Sequence, residues 1–210
     1  MKMRWLSNPL YLAADLFTKL VLLNFLWAVF TLLGLIVFGL APATVALFTQ
    51  LRRMTWKQDE SVQLYGLMSS FYRTWKAEFV RANLFATGFY SLLLIWGINL
   101  MIMPVTEGGM QLAMMVSNSL FGAVLLLLLL FWFPVYVHFD LKWSDALKVT
   151  AMIPFRNLWT TALTVTAVAG FLTVLYLFPP LISFVGISGL AWLVMIASKK
   201  SFLHVQPVQS

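Results

Sequence analysis

Residues 37–53 read VFGLAPATVALFTQLRR. They close the first long apolar run of the chain and deliver it to its first basic pair, Arg52-Arg53. If Gly39-Leu40-Ala41-Pro42 ends a helix on the far side of a membrane, the topology runs one way. If it turns the chain back to the side it came from, every later segment is inverted. The run from Leu16 to Gln50 carries a single charge, Lys19. As one helix it would reach about 52 Å, well beyond the roughly 30 Å of a hydrocarbon core. Gly34, Gly39 and Pro42 interrupt it. The residue before a proline avoids the α region, so a break is expected at Ala41. Pro42 is then expected at the first position of a new helix, where its missing N–H is harmless.

Composition sets the class. Of 210 residues, 61% are hydrophobic and 10% charged, and mean hydropathy is +0.89. A soluble domain carries about 25% charged residues. The chain is therefore read as an all-α integral membrane protein, a single membrane domain over residues 1–210. The net charge of +7 is a topological signal, because basic residues of membrane proteins gather in cytoplasmic loops. No basic module with aromatic platforms points to nucleic acid. The absence of Cys excludes disulfides, iron–sulfur clusters and thiolate zinc sites. Ala41-Pro42-Ala43 imitates a signal-peptide cleavage site, but the apolar stretch ahead of it exceeds the 7–15 residues of a signal h-region. The segment is expected to stay in the chain.

Five to six membrane segments follow from charge-free length: about 16–36, 42–54, 82–103, 112–137, 158–178 and 181–198. The first two form a Gly/Pro-broken hairpin. Between them and the third, Leu64, Met68, Phe71, Trp75 and Phe79 recur at three- and four-residue spacing among basic residues. That pattern predicts an interfacial amphipathic helix over 62–80, and a second is expected at 144–154. Arg52, Arg53, Lys57, Arg73, Lys76 and Arg81 fall in 51–81, Lys142, Lys148 and Arg156 in 140–157, and Lys199 and Lys200 near the end. The turns at 104–110 and 179–180 carry no basic residue. Basic loops are expected inside and bare turns outside, with both termini cytoplasmic. Lys2, Arg4 and Lys19 then share a side with Arg52 and Arg53. This makes Gly39–Pro42 the tip of a hairpin, either fully crossing or re-entrant. Three hairpins, at 16–51, 82–139 and 158–198, form a weak internal repeat of the kind found in transporters.

Asp15-Leu16, Leu22-Leu23-Asn24-Phe25-Leu26-Trp27, Gly39 to Leu47, Arg52-Arg53 and Phe71-Tyr72-Arg73-Thr74-Trp75-Lys76 form a series of short motifs. Together they resemble the YesL family, bacterial membrane proteins built around a domain of unknown function. Ala146-Leu147-Lys148 and Arg156-Asn157-Leu158 are similar to its later lead-in. The resemblance implies a bacterial cytoplasmic membrane and frequent association with carbohydrate uptake systems. It assigns no catalytic residue and no reaction.

Candidate residues are few. Asp15 and Lys19 are spaced to pair on one helix. His138 and Asp140 lack the further partners a relay or metal site needs, and no HExxH spacing exists. Asn24, Asn99 and Asn118 fall in apolar runs, so each amide is expected to hydrogen-bond another helix. Ala162, Thr166 and Gly170 form a small-xxx-small face that suits close helix packing, within the chain or with another subunit. Glu107-Gly108-Gly109 reads as a solvated turn. The structural and topological residues are thus Gly39, Pro42, Asn24, Asn99, Arg52, Arg53, Arg81 and Arg156, with no catalytic, cofactor or metal site. The expected role is that of a non-enzymatic accessory component of a carbohydrate uptake system, in contact with the lipid bilayer. A small transporter or channel is the alternative, motivated by the broken first run. A membrane enzyme acting on lipid-linked substrates is a second, motivated only by basic residues that would face anionic headgroups.

Overall fold

The computed structural model describes residues 9–56, 64–103, 107–139 and 143–202. Among these residues there are seven helices and no strand: α1 (Pro9–Leu33), α2 (Val37–Trp56), α3 (Leu64–Ile102), α4 (Gly108–His138), α5 (Trp143–Arg156), α6 (Leu158–Leu177) and α7 (Pro180–Phe202). Five of them, α1, α3, α4, α6 and α7, are long and apolar enough to cross a membrane. The protein is a multi-pass helical membrane bundle. Lys2, Arg4, Lys57, Lys142 and the turn at 104–106, used in the topological reading, lie outside the described residues, as does the site candidate Asp140.

The sixth expected segment, α2, carries Arg52 and Arg53 at its end and sits at the centre of the bundle. Half of its residues are buried, among them Ala43, Ala46, Leu47, Phe48 and Leu51. They form the main core with Leu20, Leu23, Leu26 and Phe30 of α1 and with Leu67 and Phe71 of α3. Ala191, Val194 and Met195 of α7 complete it. Three alanines on α2 and α7 let backbones come close, while leucine and phenylalanine fill the remaining space.

The turn of the first hairpin comes earlier than the Gly39–Pro42 break. It is Gly34-Leu35-Ile36, and both Gly39 and Pro42 lie inside α2. Leu35 and Ile36 have φ of 58° and 64°, a left-handed conformation that is uncommon for Leu and rarer for a β-branched residue. The Ile36 N–H donates to the Thr31 carbonyl at 2.9 Å and the Leu35 N–H to that of Leu32 at 3.0 Å. This is a Schellman helix end, with Leu35 where glycine normally sits. The glycines serve a different purpose. A Cβ on Gly34 would collide with the Gly39 Cα, and one on Gly39 with the Thr31 carbonyl. The two arms close glycine on glycine, and the chain turns wherever that contact forces it to.

The other difference concerns 62–80. From Leu64 onward this stretch is the first half of α3 and continues without interruption into the apolar segment expected at 82–103. A 39-residue helix is about 58 Å long. The apolar side of its first half faces protein: Leu67 and Phe71 are fully buried. Phe30 of α1 lies 5.3 Å, centroid to centroid, from both Phe71 and Trp75. The period in the sequence is that of an amphipathic helix, and the hydrophobic surface that covers it is α1 and α2. The second amphipathic stretch lies within α5, which buries Ala146, Thr150 and Ile153. Ile153 joins Phe131 and Val135 of α4 and Phe202 of α7 in a satellite cluster.

The turn yields a test of sign. Leu35 is 78% exposed, so its side chain contributes little packing. Leu35→Gly should raise stability by about 1 kcal/mol by relieving the left-handed strain. Gly39→Ala should lower it by about 1–3 kcal/mol through overpacking. Thermal unfolding of both variants in the same detergent checks the pair, and a stabilised Gly39→Ala protein would contradict the glycine contact.

Candidate functional site

Polar side chains inside an apolar bundle gain from finding partners, and here several bond backbone groups of neighbouring helices. Asn24 of α1 is 6% exposed and grips α7 with both ends of its amide. Its Nδ2 donates to the carbonyls of Ser183 at 2.9 Å and Ile182 at 3.3 Å. Its Oδ1 accepts from the N–H groups of Ile187 at 3.0 Å and Ser188 at 3.2 Å. Ser183 and Ile187 are each other's partners in a regular ladder, so the amide of one helix inserts into the hydrogen bonding of another. Gly186 and Gly189 flank the place.

Asn83 of α3 performs a related task at Pro42. In a regular helix residue 42 would donate to the Phe38 carbonyl, and proline has no N–H to offer. The Asn83 Nδ2 donates to that carbonyl at 2.8 Å and to its own helix at Phe79, also at 2.8 Å. About two turns further along α3, the Tyr90 hydroxyl donates to the Val37 carbonyl at 3.1 Å. The proline stands inside α2 because another helix supplies the missing donor.

The basic residues gather at the opposite end of α2. Arg52 donates from Nη1 to the Val137 carbonyl, in the last turn of α4. Arg53 donates to the Ser70 hydroxyl of α3, which also accepts from Gln50 at 3.0 Å. Lys199 of α7 donates to the Thr55 carbonyl at 2.9 Å and lies 5.2 Å from the centre of the Trp56 ring. Cations thus cap helix C-termini, where the dipole favours them. His138 is enclosed by rings, with centroids 4.3 Å from Trp56, 4.7 Å from Phe202 and 4.6 Å from Phe139.

Among these helices lies a cavity of about 350 Å³. Thr49 and Arg52 of α2, Thr74, Glu78 and Arg81 of α3, and Tyr136 and His138 of α4 line it, with Ala146 of α5. The Tyr136 hydroxyl donates to Glu78 Oε2 at 2.5 Å, and the Arg81 guanidinium lies 5.4 Å from the centre of the Tyr136 ring. The opposed charges meet one tyrosine, the carboxylate at its hydroxyl and the guanidinium over its ring.

Other candidates stand apart. Asp15 and Lys19 pair at 2.7 Å near the start of α1. Asn118 accepts through its backbone carbonyl from the Trp96 indole at 3.1 Å, beside Gly122, whose missing Cβ makes room for that ring. Asn99 is half-buried, and its amide bonds none of the described residues. Arg156 ends α5, exposed and away from the cavity. Ala162, Thr166 and Gly170 all face outward. Among the described residues no three His, Asp or Glu side chains come together as metal ligands. Asn83, Glu78, Tyr136 and Lys199 are among the polar contacts that sequence reasoning did not single out as fastenings. The available signal for Asn83 was Pro42 itself, since an interior proline requires a donor from elsewhere.

Residues 20–100 match the family model described as protein of unknown function, DUF624. Along most of its length the chain is similar to the uncharacterized protein YesV of Bacillus subtilis (strain 168). The two are 30% identical over 180 residues, covering 86% of this chain and 85% of that one. It is also similar to two further uncharacterized proteins of that organism. YteU is 31% identical, with 79% of this chain and 72% of the relative covered. YesL is 32% identical, with 73% and 70% covered. No solved structure matches the chain.

The proline contact is open to a double-mutant cycle. Asn83→Ala should cost about 1–2 kcal/mol in the native background, where it strips the Phe38 carbonyl of its donor. In a Pro42→Ala background the new backbone N–H fills that role, and the cost should fall by about 1 kcal/mol. Unfolding of all four proteins in mixed micelles measures the coupling, and equal losses in both backgrounds would remove it.

Proposed function

The chain belongs to the DUF624 family, together with its YesL-like relatives, and from that premise we propose that it is a non-enzymatic, polytopic accessory component of the bacterial cytoplasmic membrane, attached to a carbohydrate uptake system. The link to carbohydrate uptake comes from the family resemblance. The observation that carries an accessory role is the surface of α6. This helix buries only Thr161, Thr164 and Leu175. Its small-residue face, Ala162, Thr166 and Gly170, is exposed, and nothing lies within 4 Å of where a Gly170 Cβ would be. In a bilayer such a face admits the backbone of a partner helix.

Trp159 and Tyr176 are 77% and 83% exposed. Along α6 they stand about 26 Å apart, which suits aromatic residues at the two interfaces of one bilayer. The helix is thus set for a neighbour at membrane depth. In this reading the basic end of the bundle, with Arg52, Arg53, Lys199 and Arg156, faces the cytoplasm, as do both termini.

Two measurements address the proposal. The chain has no cysteine, so single labels are clean. Ser7→Cys should react with a membrane-impermeant maleimide only after the cells are opened, and Glu107→Cys in intact cells. The reverse pattern would turn the protein over. Affinity purification in mild detergent should recover components of a sugar transporter, and Gly170→Leu should reduce that recovery severalfold without lowering the amount of protein. Recovery of the chain alone would refute the accessory role.

A further inference from the structure

The polar cavity at the basic end adjoins an apolar one. The second hollow measures about 170 Å³ and lies between α2, α3 and α4. Small residues line part of it, Ala41 of α2 with Ala82 and Ala86 of α3, and most of the remaining wall is aromatic. Phe85 and Trp132 stack there at 3.6 Å with planes 4° apart. Val45 and Tyr136 line both cavities. The two spaces are therefore neighbours that share one valine and one tyrosine as wall, at the point where the charged half of α3 passes into its apolar half.

A small anion accounts for the polar space and leaves the apolar one unexplained. A plain hydrocarbon does the reverse. We propose that the paired cavities bind a single glycerophospholipid of net negative charge, its phosphodiester held by Arg81 and Arg52 and an acyl chain lying between α2, α3 and α4.

The charges favour this orientation. Two guanidinium groups and one carboxylate line the polar cavity. Glu78 already accepts the Tyr136 hydroxyl, which offsets part of its repulsion of an incoming phosphate. Arg81 sits over the tyrosine ring and has no hydrogen-bond acceptor among the described residues, so its fork of N–H donors is available. Arg52 has committed Nη1 to the Val137 carbonyl and retains further donors. A guanidinium fork matches a phosphate oxygen pair in geometry as well as charge. Thr49 and Thr74 donate their hydroxyl hydrogens to Val45 and Ser70 of their own helices. They face the space as acceptors, suited to headgroup hydroxyls. The apolar hollow has no comparable polar partners for water, so hydrocarbon is its natural content.

The experiment titrates dioleoyl-phosphatidylglycerol and dioleoyl-phosphatidylcholine onto the purified full-length protein in neutral detergent, with bound lipid counted by native mass spectrometry. Phosphatidylglycerol should bind about tenfold more tightly, and Arg81→Gln should abolish most of that preference, the loss expected for one charge-assisted contact. Ala86→Leu, which fills the hollow from α3, should weaken phosphatidylglycerol severalfold, and millimolar inorganic phosphate should not displace it. Equal binding of the two lipids overturns the proposal, as does an Arg81→Gln protein that retains the preference. Displacement by inorganic phosphate together with an indifferent Ala86→Leu protein would assign the site to free phosphate instead. Thermal unfolding establishes that each variant is folded. Should one fail, the lipid comparison and the phosphate competition in the unsubstituted protein decide.

Discussion

Within hydrocarbon, a backbone carbonyl or N–H without a partner costs several kcal/mol, and no water is at hand to supply one. That constraint governs the central helix of this bundle. Pro42 is tolerable inside α2 because Asn83 supplies the lost donor, and the last turn of α2 is completed by Lys199 from α7. Arg52 repays the arrangement by closing the last turn of α4. The side chains that join the helices are thus the ones that finish each other's backbones, and α2 has at least one such bond to each of α3, α4 and α7.

The apolar packing follows from the same centre. Ala43 and Ala46 bring α2 close to its neighbours, and Leu47, Phe48 and Leu51 interdigitate with residues of α1, α3 and α7. Phe48 also stacks on Phe133 of α4 at 5.7 Å with planes 11° apart. By contrast α6 buries little and packs mainly along α7, where the Phe171 ring takes the space left open by Gly189. The bundle therefore has a dense interior around α2 and an outer helix that leaves most of its surface to the surroundings. The family model matches residues 20–100, which take in the second half of α1, all of α2 and most of α3, the part where this interior is built.

The crossings were legible in the sequence because they depend on one property, charge-free length. The Asn24 fastening was legible as a need, since an amide in an apolar run must bond something, but its partner 158 to 164 residues away was not. The hairpin turn was misplaced because Leu35 and Ile36 carry no turn signature. The glycines that fix it act by close approach and not by adopting the left-handed conformation themselves. Pro42 misled for a related reason: its usual helix-breaking effect is cancelled by a residue outside local view. The spacing of Phe71 and Trp75 announced an apolar face correctly, while what covers that face depends on where α1 and α2 lie. The cavities draw on several helices at once, and no local pattern describes them.

The first turn has one more consequence, and it concerns how the protein reaches its place. Leu35, Ile36, Val37 and Phe38 are all more than half exposed and entirely apolar, and no charged residue separates Lys19 from Arg52. Insertion of α1 and α2 as a closed pair moves no charged side chain through the lipid. The strained tip can lead, and the charged ends can stay at the surface where they began. For the first hairpin, biogenesis is a matter of partitioning and not of translocation.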